Sequence, residues 1–110
     1  LENYKVNPHV GSFFKNPLMN KKEFKSLKVL EPRVKFYNQD SLIKISAAWL
    51  IENSGLKGFN FYNARVSNRH SLVLINEDKS PDSILKLRTK LKNLVKKKYK
   101  IKLEEEPTII

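Results

Sequence analysis

Apolar positions in the last third of the chain recur every three or four residues. Ile84, Leu87, Leu91, Leu94 and Val95 fall on one face of a helix that runs to about Tyr99. Lys86, Lys90, Lys92, Lys96, Lys97 and Lys98 take the other faces. Ser80-Pro81-Asp82-Ser83 marks the start: a hydroxyl cap, a proline in the first turn, an acid at the positive end of the helix dipole. A second helix is predicted over 43–53, capped by Asp40 or Ser41. Ala47, Leu50 and Ile51 form one stripe, with Ile45, Ala48 and Trp49 beside it, so the helix is largely buried. Ser54-Gly55 supplies its left-handed stop. A shorter helix starts at a cap on Asn20 and runs to about Lys28, with Phe24 and Leu27 on one face. Glu31-Pro32 ends it, because the residue before proline avoids helical backbone. Residues 71–75, Ser-Leu-Val-Leu-Ile, read as a central strand. Shorter extended pieces are expected at 12–16, 34–37, 59–66 and 101–103. Helices and strands mix without regular alternation, which predicts an α+β domain: a small mixed sheet packed against two main helices.

Composition narrows the classes. A chain of 110 residues holds one compact domain. Cysteine is absent, which excludes disulfides and thiolate metal sites and is compatible with a reducing compartment. The longest apolar runs, such as 45–51, are far too short to cross a bilayer. The first residues carry no apolar segment behind a basic start, as a secretory signal would. The net charge of +11 attracts anions, either a phosphate-bearing small ligand or a nucleic acid. Lys outnumbers Arg 18 to 4, and no Arg or Asn spacing is set up to read base edges. The lysines of the last helix fit a solvated exterior better than a groove-reading helix.

The segment Gly11-Ser12-Phe13-Phe14-Lys15-Asn16-Pro17 carries the densest chemistry. It sets a hydroxyl behind a glycine, where another group can approach closely. A cation and an amide follow, suited to an anionic, hydrogen-bonding ligand. Residue type alone also fits a strand start with a buried Phe.

Three blocks in order change that balance: Gly-Ser-Phe-Phe-Lys-Asn-Pro at 11–17, Ser-Ala-Ala-Trp-Leu-Ile-Glu-Asn-Ser-Gly-Leu-Lys-Gly at 46–58, and Val-Ser-Asn-Arg-His-Ser-Leu-Val-Leu-Ile-Asn at 66–76. With Leu-Glu-Glu-Glu-Pro at 103–107, they resemble the C-terminal part of the UDP-N-acetylenolpyruvoylglucosamine reductase family over nearly the whole chain. The resemblance implies a cytoplasmic flavoenzyme of peptidoglycan precursor synthesis that uses FAD and NADPH. It also implies that residues 12–110 are the substrate-binding domain and 1–11 a linker or tail. The family's N-terminal FAD-binding part is not in this chain. None of these residues forms a glycine-rich phosphate loop, so no cofactor is expected on the fragment alone, and the fragment alone is expected to be inactive.

By the same resemblance, Ser12 matches the serine that protonates the substrate, UDP-N-acetylglucosamine enolpyruvate, after hydride transfer. Glu106 matches the family's late glutamate, beside the substrate carboxylate. Glu105 is a rival, because proline follows Glu106 here whereas the family places proline before its glutamate. Asn16 and Lys57 match diphosphate contacts. Tyr37 matches a nucleotide contact, with Phe36 competing across a one-residue slip. His70 stands where some members have glutamine, as a donor or as a structural residue. Tyr62-Asn63 replaces a usual Gly-Gly. The expected partners are the nucleotide-sugar substrate and the FAD-binding domain, with no nucleic acid and no membrane. The competing readings are a small basic nucleic-acid-binding module, and a non-catalytic remnant used for protein contact.

Overall fold

A computed structural model describes residues 13–77 and 81–106. The segment 1–11, Ser12 and the expected helix cap Ser80 lie outside the described residues. The elements in order are β1 (Leu18–Met19), α1 (Lys21–Leu30), β2 (Phe36–Gln39), β3 (Leu42–Ile45), α2 (Ala47–Asn53), β4 (Asn60–Phe61), β5 (Ala64–Val66), β6 (Leu74–Asn76) and α3 (Asp82–Tyr99). The α+β class holds. The expected single mixed sheet is instead two antiparallel ones, ordered β1-β3-β2 and β4-β5-β6.

α3 covers the second sheet and α1 lies against the first, while α2 packs on α3 and joins the two halves. The periodicity of α3 explains its placement. Ser83, Leu87, Leu91, Val95 and Tyr99 recur at every fourth position and all are buried. Each of the large apolar side chains among them contributes about 1.5–3 kcal/mol on leaving water. Lys100 ends the helix in left-handed backbone at φ 63°, and its N–H donates to the Lys96 carbonyl. Asn53 Nδ2 donates to the Tyr99 hydroxyl at 2.9 Å and ties α2 to α3 through a half-buried polar contact. Among the described residues, no helix is long and apolar enough to cross a membrane.

α1 matches its sequence signals. Asn20 Oδ1 accepts from the Glu23 N–H at 2.7 Å, and Glu23 Oε1 accepts from the Asn20 N–H at 2.9 Å, a reciprocal cap. Glu31 closes the helix, as the following proline requires.

The second expected helix is corrected. Residues 42–45 are strand β3, and the cap of α2 is Ser46, whose Oγ accepts from the Trp49 N–H at 3.1 Å. Neither Asp40 nor Ser41 caps a helix. Asp40, at φ 55°, turns the chain between β2 and β3. The reason is period. Ile43 and Ile45 are buried while Lys44 between them is half-buried, so the run alternates at two residues and pairs on both sides. The expected stop is in place: Gly55 sits at φ 73°, and the Leu56 N–H donates to the Ile51 carbonyl.

Three extended pieces also differ. Residues 71–73 are loop, and β6 is an edge strand beside the central β5. Ser71 and Val73 are nonetheless buried, which explains their strand-like look. Of the strand expected at 12–16, the described part makes one isolated bridge, Phe14 to Glu105. The closing strand expected at 101–103 is irregular chain leading into that bridge. Phe14 is fully buried and Phe13 half-buried, with the rings edge to face.

Leu91→Ala is expected to lower unfolding stability by about 2–5 kcal/mol, because the cavity forms under a fully buried side chain. Asn20→Ala, at the cap of a largely exposed helix, is expected to cost about 1 kcal/mol. Urea midpoints with unchanged slopes measure both. A Leu91→Ala loss no larger than the Asn20→Ala loss contradicts the placement of the core.

Candidate functional site

The segment carrying the sequence chemistry is held by backbone on two sides. The Phe13 N–H donates to the Leu72 carbonyl at 2.7 Å, and the Phe13 carbonyl accepts from the Glu106 N–H at 2.8 Å. The Lys15 N–H donates to the Glu104 carbonyl at 2.8 Å. Phe13 therefore lies between the 67–73 loop and the chain at 103–106. Ser12 precedes Phe13 in the sequence and lies outside the described residues.

From 101 to 106 the side chains alternate. Ile101 and Leu103 are buried and Glu105 half-buried, whereas Lys102, Glu104 and Glu106 are exposed. Glu105 thus occupies an inward row that is otherwise apolar. α3 meets it with two cations one turn apart. Lys92 Nζ donates to Glu105 Oε1 at 3.0 Å. Arg88 Nε lies 3.2 Å from Oε2 as an ion contact without hydrogen-bond alignment. Desolvation pushes the Glu105 carboxyl upward and is the largest single influence. The Lys92 hydrogen bond, its own backbone N–H and the charges of Lys92 and Arg88 together outweigh it, and the carboxyl ends below the usual range. An acid held ionised is a poor proton carrier. Glu106 points away from this pair, on the exposed row.

Asn16 is oriented by the N-terminus of α2. Its Oδ1 accepts from the Ala47 N–H at 2.9 Å at the start of α2, which leaves the Nδ2 edge of the amide as the donor for a ligand. Asn16 lines a cleft of about 260 Å³ with Lys15, Pro17, Leu18, Lys102 and Glu104. Lys15 Nζ lies 3.5 Å from Glu104 Oε1, with both side chains largely exposed. Across the first sheet, Leu18 pairs with Lys44 and Lys44 with Tyr37, so all three share one face. Tyr37 is exposed on that face, and Leu18 belongs to both the face and the cleft. Phe36, its rival, points to the opposite face and packs on Phe24 of α1 at 4.5 Å between ring centroids.

Lys57 stands apart from this group. It is exposed between Gly55 and Gly58, past the C-terminus of α2, whereas Asn16 contacts the N-terminus. Seven helical residues separate the two ends by about 10 Å. His70 is exposed in the loop that supports Phe13. The Ser67 hydroxyl accepts from the Arg69 and His70 N–H groups at 3.0 and 3.1 Å and fixes the loop backbone. Ser71 Oγ donates to Glu52 Oε2 at 2.7 Å and fastens the loop to α2.

Lys44 and Lys102 were missed from sequence. The signal for Lys44 was the two-residue alternation at 42–45, concealed by a helical reading. That for Lys102 was its place between buried Ile101 and Leu103.

The family model described as UDP-N-acetylenolpyruvoylglucosamine reductase, C-terminal domain, matches residues 2–110. The chain belongs to this family. Curated relatives of that reductase name include one from Aliivibrio fischeri, 40% identical over 89% of this chain and 28% of the relative. One from Shewanella sediminis is 39% identical over 93% and 30%. One from Buchnera aphidicola subsp. Baizongia pistaciae is 39% identical over 100% and 34%. The chain thus spans about a third or less of the length of these relatives. Gly55 turns the chain after α2 with open space beside it, and a Cβ at Gly58 would overlap the Asn68 side chain.

The ionised Glu105 makes stability depend on acid. Its folded-state pKa is depressed, so its contribution is complete above the unfolded value, about 4.3, and is lost as pH falls through the lower folded value. Glu105→Gln is expected to unfold at lower denaturant than the parent at neutral pH, by a margin that salt reduces. The margin is expected to shrink as pH falls below the ordinary carboxylate range. A margin unchanged by acid contradicts an ionised Glu105.

Proposed function

We propose that this chain is the substrate-binding and proton-donating domain of a reductase that converts UDP-N-acetylglucosamine enolpyruvate to UDP-N-acetylmuramate in peptidoglycan precursor synthesis. The observation that carries the reading is the family match over residues 2–110, joined to the backbone pairing of Phe13 with Glu106. In this reading residues 1–11 lead into the domain, and the partner is an FAD-binding portion of the complete enzyme. FAD, reduced by NADPH, supplies hydride. It belongs to that portion, and every role assigned to this chain is binding, orientation or proton supply in the cytoplasm.

Asn16 donates its Nδ2 hydrogens to a diphosphate oxygen while Ala47 occupies its carbonyl. Lys15, Lys44 and Lys102 give the same face a positive field. Tyr37 offers a phenol to the nucleotide from the exposed sheet face. Lys57 approaches from the other end of α2 and serves a different part of the ligand from Asn16. His70 adds a donor from the loop beside Phe13.

Ser12 Oγ–H protonates the substrate carbon that bears the carboxylate. A hydroxyl is a weak acid, so the step needs exact placement and positive potential near the oxygen left behind. Lys15, three residues on, is the nearest cation in sequence. Glu106 lies beside the substrate carboxylate. A carboxylate there repels developing negative charge, so Glu106 needs a cation between itself and the substrate carboxylate.

The nucleic-acid reading finds no comparable support. Arg88 and Lys92 are engaged with Glu105, while Lys86 and Lys90 lie 4.3 and 5.6 Å from the ring centroids of Tyr62 and Phe61. This face of α3 is not a stripe of unengaged cations waiting for phosphates.

The test is Ser12→Ala in the complete reductase, with the two half-reactions followed separately. Flavin reduction by NADPH is expected to proceed at the parent rate, while substrate reduction falls by about 100-fold or more. A full-rate second half-reaction removes Ser12 from the proton-donor role.

A further inference from the structure

An acid on the inward row of a closing segment is costly unless it is paired. Here Glu105 follows buried Ile101 and Leu103 on that row, and α3 presents Lys92 at 3.0 Å and Arg88 at 3.2 Å. Beyond Leu103 the segment leaves the core. It makes one isolated bridge, Phe14 to Glu105, flanked by the Lys15-to-Glu104 and Glu106-to-Phe13 backbone hydrogen bonds. No regular strand forms between residues 100 and 106. Buried Phe14 and Leu103 fix the register as far as residue 103; beyond it the inward row continues only through half-buried Glu105, where a slip of one residue exchanges the two faces. Such a slip would turn Glu106 inward and Glu105 outward. The surface pair Lys15–Glu104, at 3.5 Å between largely exposed side chains, is too weak to prevent this alone.

We infer that Arg88 and Lys92 are positioning residues: by clamping Glu105 they fix the register of residues 104–106 against 13–15, and so keep Glu106 on the same side as Asn16 and Lys102. The consequence for catalysis rests on the proton-donor reading above. The mechanical claim does not. Neither cation touches substrate in this scheme, and both act through Glu105. Lys92 supplies the directed hydrogen bond, and Arg88, whose Nε makes no aligned bond, supplies charge at the second oxygen. The charge field around Glu105 comes from α3 through Arg88 and Lys92, while Lys15 on the opposite row is paired with Glu104.

Amide hydrogen exchange on the full 110-residue chain tests the clamp directly. In Glu105→Gln and in Lys92→Gln, the Lys15 and Glu106 amides are expected to exchange about tenfold faster, while those of Val66 and Ser67, bonded within the second sheet and its loop, stay at the parent rate. The double variant is expected to match Glu105→Gln, which by itself already removes the contact with Lys92. Arg88→Lys, which keeps the charge, is expected to retain most of the protection that Arg88→Met loses. Unchanged exchange at Lys15 and Glu106 overturns the inference. So does a uniform acceleration that includes Val66, which would make the pair a general stabiliser. In the complete reductase, Glu105→Gln is expected to lower kcat of substrate reduction with little change in KM. If kcat holds while Ser12→Ala abolishes the step, the catalytic consequence fails. If Ser12→Ala is silent as well, the proton-donor reading fails and the exchange data alone judge the clamp.

Discussion

Three backbone hydrogen bonds around Phe13 and Lys15 determine whether this chain presents a site at all. They join the segment that follows Ser12 to the 67–73 loop on one side and to residues 104–106 on the other. These pieces are far apart in sequence, so their closure depends on the core beneath them. Phe14 and Leu103 are the buried side chains under that junction. The polar surface above it follows from alternation: where Phe14 and Leu103 turn inward, Lys15, Lys102 and Glu104 turn outward beside Asn16.

The same economy runs through the polar contacts. Asn16 spends its carbonyl on α2 and leaves an amide edge for a ligand. The Ser67 hydroxyl fixes the backbone of the loop that carries His70, and Ser71 fastens that loop to Glu52. Glu105 is ionised and bound, while Glu106, one residue on, faces the other way. Two neighbouring acids thus acquire different surroundings from strand geometry and from what α3 places opposite one of them.

Much of this was legible in the chain. The reciprocal cap of α1, the glycine stop of α2 and the four-residue stripe of α3 are local, and local signals survive in sequence. The error at 42–45 arose because Leu-Ile-Lys-Ile runs straight into a true helix. Four residues of alternation could not outweigh the longer apolar run behind them. Its identity as a strand depends on β1 and β2, which are partners a sequence window does not contain. The cleft around Asn16 was legible in the first ordered block, at 11–17. The candidate site was illegible at Lys44 and Lys102, whose relevance comes only from sheet register and from the row opposite the core. Tyr62, at φ 58°, is a strained turn position whose ring lies edge to face with Phe61 and under Lys86 Nζ.

The central claim is that one face, from Tyr37 across Lys44 and Leu18 to Asn16, Lys15 and Lys102, receives the nucleotide sugar. Amide chemical-shift mapping of the isotope-labelled chain, titrated with UDP-N-acetylglucosamine enolpyruvate, tests it most directly. The account predicts saturable shifts at Lys15, Asn16, Tyr37, Lys44 and Lys102, with Leu85 and Lys86 on α3 unmoved. Shifts concentrated around Tyr62, Leu85 and Lys86, with the Asn16 face silent, would contradict it.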